Sequence, residues 1–120
     1  MRGKGERRMK AKKHIEFDRV FAYLTEGKTD ILWFESEEVM RRVGQFMVEL
    51  TKTDENPLNC DDLFVTKTYN TEGILVLITD FLHGQEIAFK NEKQTRRAGQ
   101  CLIDLARIGG NEVEIKDEEK

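Results

Sequence analysis

The chain has one proline, one tryptophan, two tyrosines, two cysteines and two histidines among 120 residues. Each scarcity narrows what it can be. Cys60 and Cys101 show no CxxC spacing, which argues against a metal cluster, and a structural disulfide is not required. His14 and His83 are the only histidines, and no serine or cysteine sits in a nucleophile motif. No glycine-rich phosphate loop follows a strand. The reading is a non-enzymatic protein with no cofactor and no metal site. No run of about 18 apolar residues occurs, so no membrane-spanning helix is expected. The N-terminus lacks the apolar stretch of a secretory signal, and a cytoplasmic location is the default expectation.

What the chain does have is charge. Charged residues make up 36% and hydrophobic residues 38%, with a formal net charge of −3. The sum hides an asymmetry, since residues 1–13 carry +6 and the remainder −9. A basic terminus on an acidic body is a signature of phosphate contact.

It also has an internal repeat. Displaced by 55 positions without a gap, Phe34, Glu37, Arg41, Arg42, Gly44, Gln45 and Leu50 fall on Phe89, Glu92, Arg96, Arg97, Gly99, Gln100 and Leu105. Units of roughly 8–62 and 63–117 are each small for an independent core, so they are expected to share one.

Local patterns place the elements. Residues 1–12 read as a flexible basic arm. His14 to Asp18 alternates as a half-buried strand, with a bulge or turn at Asp18-Arg19 before Val20–Leu24. Glu26-Gly27-Lys28 turns the chain into Ile31–Phe34. Ser36 caps a helix that stops near Lys52, ahead of Pro57. The second unit has strands at Leu63–Tyr69, Ile74–Ile78 and Glu86–Phe89. Its unbroken apolar run Ile74–Ile78 predicts a strand covered on both faces. Asn91 caps the second helix with Gln94 as capping-box partner, and Gly109-Gly110 predicts a left-handed cap at its end. Val113–Ile115 is an edge-strand candidate, and residues 118–120 form a frayed tail.

The fold class is therefore α+β: a duplicated strand-strand-strand-helix unit forming an intramolecular pseudo-dimer, an antiparallel sheet with two helices. Residues 13–117 form one domain in which each helix covers its own sheet. Gly44 and Gly99 each cost roughly 1 kcal/mol in a helix interior relative to alanine. Their recurrence predicts a helix-on-helix contact that excludes side chains.

Functional candidates follow from charge and aromatics. Trp33 lies opposite Phe34 in strand phase and is expected to join Phe21 or Tyr23 on the face away from the helices. With Arg7, Arg8, Lys10, Lys12, Lys13 and Arg19, this predicts a stacking platform for single-stranded nucleic acid. Lys67 and Tyr69 are the expected equivalents in the second unit. Arg41, Arg42, Arg96 and Arg97 form a candidate anion or partner-contact set, with Glu37–Arg41 and Glu92–Arg96 as structural i,i+4 pairs. The order of elements in Ile31–Leu50 and Glu86–Leu105 is similar to that of the PUR-repeat and Whirly single-stranded nucleic-acid binders, without a matched signature residue. The alternative partner is a basic protein bound by the acidic body, making the chain an inhibitor or adaptor. A monomer and a homodimer are both compatible with the repeat.

Overall fold

In the computed structural model, residues 8–80, 83–108 and 110–116 are described. The elements run β1 (Arg8–Glu16), β2 (Arg19–Glu26), β3 (Lys28–Phe34), α1 (Glu37–Leu50), β4 (Leu58–Cys60), β5 (Leu63–Asn70), β6 (Gly73–Asp80), β7 (His83–Phe89), α2 (Glu92–Arg107) and β8 (Glu112–Lys116). They build an α+β fold with two antiparallel four-stranded sheets, ordered β3-β2-β1-β8 and β4-β5-β6-β7.

Residues 8–12, read as part of a flexible arm, are the first half of β1. They pair with β2 on one side and β8 on the other. The physical reason is an alternation extending into the basic segment. Met9, Ala11 and the stem of Lys13 point inward and are buried, while Arg8, Lys10 and Lys12 point outward. Arg7, the rest of the arm, Gly109 and residues 118–120 lie outside the described residues.

The helices start where their caps dictate. Ser36 Oγ accepts from the Val39 N–H at 3.2 Å, and Glu37 and Glu38 occupy the first turn, where the helix dipole favours acids. Asn91 Oδ1 accepts from the Gln94 N–H at 2.9 Å, and Gln94 Oε1 accepts from the Lys90 N–H at 2.7 Å. Buried residues recur at helical spacing, Met40, Val43, Gly44, Met47 and Leu50 in α1 and Ala98, Cys101, Leu102 and Leu105 in α2. The end of α2 differs from expectation: Ile108 is the C-cap with an extended backbone.

The helices do not each sit on the sheet built from their own half of the chain. α2 packs chiefly on β1 and β8 of the first sheet, against the expectation that it covers its own, while α1 touches both β5 of the second sheet and β3 of the first. Two lysines tie these contacts. Lys13 on β1 donates to the Leu105 carbonyl at 2.7 Å, and Lys67 on β5 donates to the Leu50 carbonyl at 2.5 Å. Cations at helix C-termini satisfy the last carbonyls and oppose the dipole. A single hydrophobic cluster drawn from both halves fills the interior. β6 is covered on one face only: Ile74, Val76 and Ile78 are buried, whereas Leu77 on the outer face is 44% exposed.

Candidate nucleic-acid interface

The outer face of the first sheet collects most of the expected contact residues. Strand register sets the rows. Lys10 pairs with Thr25, Lys12 with Tyr23, and His14 with Phe21. Across the next ladder Tyr23 pairs with Ile31 and Phe21 with Trp33. With a two-residue side-chain period, all of these share the face turned away from the helices. The aromatic grouping of Trp33 with Phe21 and Tyr23 is therefore present, beside a basic row on β1.

The chemistry changes along this face. At one end Lys10, Lys12, Tyr23, Thr25 and Thr29 line a shallow groove of about 710 Å³, with Glu112 and Glu114 of β8 on its other wall. Arg8 Nη1 lies 3.0 Å from Glu114, and Lys12 Nζ lies 3.6 Å from Glu112. Exposed pairs of this kind contribute about 0–1 kcal/mol, so a phosphate can displace either carboxylate at little cost. Among the described residues, no carboxylate lies within salt-bridge reach of Lys10. β8 therefore shields part of the basic row and leaves Lys10 as the open cation.

At the other end Trp33 is already occupied by two neighbours. The Arg19 guanidinium sits 4.5 Å from its ring centroid, and the His83 ring stacks on it at 3.8 Å. Its backbone is held too: the Trp33 N–H donates to Gln85 Oε1 at 2.8 Å, and Gln85 Nε2 donates back to the Trp33 carbonyl at 2.7 Å. Trp33 joins the edges of the two sheets. It is not the open platform expected, and a base would have to displace Arg19 or stack on Tyr23 instead.

Three further residues fall elsewhere. Lys13 is buried on the helix side, bound to Glu37 and to the Leu105 carbonyl. Lys67 points the same way in the second sheet, donating to the carbonyls of Leu50 and of Thr53 at 3.1 Å. Tyr69 shares that side, with its hydroxyl donating to Glu92 and its ring 5.5 Å from Lys67 Nζ. One residue of strand phase separates Lys13 from Lys12, and that phase removes Lys13 from the outer surface.

The four repeated arginines do not form a symmetric anion site. Arg41 pairs with Glu38 at 2.5 Å, not with Glu37, whose carboxylate is held by Lys13. Arg42 reaches Glu38 at 3.3 Å and Asp61 at 3.6 Å. Hydrogen bonds and charge from Arg41, with Arg42 adding to them, hold the Glu38 carboxyl below its ordinary value. Arg96 donates to Thr51 Oγ1 at 3.0 Å while Glu92 accepts from Tyr69. Arg97 makes a two-pronged bond to Glu26, at 3.1 and 2.7 Å, in a nearly dry setting. Most of these guanidiniums hold the fold's own carboxylates.

His14 and Phe21 complete the outer face. The signal for His14 is the alternation Lys10, Lys12, His14, legible once the strand is extended back to Arg8. The acids of β8 have no local signal, because only the chain's return beside β1 brings them there. Among the described residues, no cluster of histidine, cysteine and carboxylate side chains has metal-binding geometry, and no helix is long and apolar enough to cross a membrane. No protein-family model, curated protein or solved structure matches the chain.

Proposed function

We propose that the protein is a small, non-enzymatic regulatory protein that binds single-stranded nucleic acid across the outer face of its first sheet. The observation that carries this reading is the groove shared by Lys10, Lys12 and Tyr23, with Arg19 and Phe21 continuing the same face. Cations on one strand and aromatic rings on the next suit a phosphate backbone with bases stacked alongside it. The acidic remainder of the chain confines attraction for phosphate to this face. The matched segments of the repeat fit an intramolecular pseudo-dimer, working in the cytoplasm as a monomer or homodimer.

Fluorescence anisotropy with single- and double-stranded DNA and RNA, at several salt concentrations, tests the reading. Affinity should fall steeply with salt as phosphate binding releases counterions. Lys10→Ala and Lys12→Ala should each lower the log–log salt slope by about 1. Absence of binding, or a flat salt response, refutes it.

A second reading has its own observation. Phe64 and Leu77 stand on the outer face of the second sheet at 43% and 44% exposure, beside Thr66 and Leu75. A protein-binding inhibitor or adaptor would use this apolar patch, which Glu86 borders as the register partner of Leu77, with the acidic body around it. It predicts a complex with a basic protein and no mobility shift of any oligonucleotide.

A further inference from the structure

The β1–β2 hairpin ends in a residue that folding does not explain. Glu16 pairs with Arg19, so the turn is the two residues Phe17-Asp18. Phe17 has φ +57° and is 93% exposed. A bulky side chain is disfavoured in the left-handed region, and an exposed ring recovers nothing by burial. The other hairpins show what the backbone prefers. Gly27 and Gly73 take the positive φ in two of them. The Asp61-Asp62 turn has the same length as Phe17-Asp18, and its first residue has φ +56°. Asp and Gly tolerate that conformation readily. Phe17 is the exception among the described residues.

Its place in the fold gives the exception a use. The outer row of β2 begins at Arg19 and runs through Phe21 to Tyr23 in the groove. Along β1 the row His14, Lys12, Lys10 runs in the same direction. Phe17 thus stands at the turn end of a face that carries Arg19, Phe21 and Tyr23 on β2 and Lys10, Lys12 and His14 on β1, with Glu16 between His14 and the turn. We propose that Phe17 is a further nucleic-acid contact, stacking on an unpaired base where the strand leaves this face. The inference rests on the nucleic-acid reading and names a residue of the same site. Stacking needs only a presented ring, which a strained two-residue turn holds out from the sheet. Exposed apolar side chains inserted at bases are a general means of engaging nucleic acid.

The test compares Phe17→Asn and Phe17→Trp with the unaltered protein, using a single-stranded oligothymidylate. Asparagine tolerates left-handed backbone, so Phe17→Asn should fold with an equal or higher melting temperature. Its affinity should fall roughly 5- to 100-fold, the range for loss of one stacked aromatic. Its salt slope should not change, because no charge is lost. Phe17→Trp should retain affinity. Unchanged affinity in Phe17→Asn, while Lys10→Ala and Lys12→Ala weaken binding, would overturn the role of Phe17 and leave the groove intact. A lowered melting temperature in Phe17→Asn would overturn it too, by showing a structural role. If the unaltered protein binds no oligonucleotide, both readings fail together.

Discussion

Gly44 and Gly99 face each other across the α1–α2 contact so closely that neither has room for a methyl group. A Cβ on Gly44 would lie 2.5 Å from the Gly99 carbonyl oxygen, and one on Gly99 would lie 2.7 Å from that of Gly44. The obstruction is backbone, which cannot rotate away as a side chain can. Alanine in either helix gains roughly 1 kcal/mol of propensity but must force the helices apart, and overpacking costs about 1–3 kcal/mol. Gly44→Ala and Gly99→Ala should each lower the denaturant midpoint. A rise in both would show that the helices do not approach as closely as described.

Arg97 and Glu26 hold the β2–β3 hairpin to α2. Their side chains are 7% and 15% exposed. Removing one partner strands the other charge in a poorly solvated site, at about 3–5 kcal/mol. Arg97→Met should therefore be strongly destabilising in urea titrations. The double variant Glu26→Leu with Arg97→Met should recover part of the loss, since the Glu26 carboxylate is then no longer left in that site without Arg97.

Cys60 and Cys101 should differ sharply toward thiol reagents. Cys60 is exposed, whereas Cys101 is buried on the inner face of α2 with its Sγ 3.8 Å from the Met9 carbonyl. Burial first, and then the charge of Asp104, pushes the Cys101 thiol up to about 12. One thiol should react at once with an aromatic disulfide reagent and the second only on unfolding. Between the ordinary value of 9.0 and about 12 the unfolded chain loses this proton and the folded chain keeps it. Stability should fall as pH rises through that window, and Cys101→Ala should remove that part of the loss.

Lys12 and Lys13 are adjacent in sequence and should separate cleanly by assay. Lys13→Met removes a charged hydrogen bond to the end of α2 and should cost about 1.5–3 kcal/mol of stability, with the salt dependence of nucleic-acid binding unchanged. Lys12→Ala should leave the melting temperature nearly fixed, because its pair with Glu112 is exposed. The reverse pattern would mean that the strand is turned by one residue.

Much of the local architecture is legible along the chain because it depends on near neighbours. Ser36 and Asn91 as caps, Gly27 as a turn and the apolar spacing of both helices need only a few consecutive residues. The contact of Gly44 with Gly99 is also legible, since a residue that weakens a helix, placed at the same point of two helices, implies a close approach there. The site is harder to see. Sequence places Trp33 with Phe21 and Tyr23, and it is there, but Arg19 and His83 already hold it. Lys67 and Tyr69 share the composition of a binding strand and stand on the helix side of the sheet.

By itself the order of residues determined the types of element, where most of them begin and end, and the α+β class, because caps, turns and side-chain periods act over a few bonds. Only the folded chain decided that α2 packs on the first sheet while α1 reaches the second, that β8 lays Glu112 and Glu114 beside the basic row, and that Lys12 faces solvent while Lys13 closes a helix. Those outcomes depend on contacts between segments as much as about a hundred positions apart. They are selected by the burial of one shared core, a property that no short window of sequence contains.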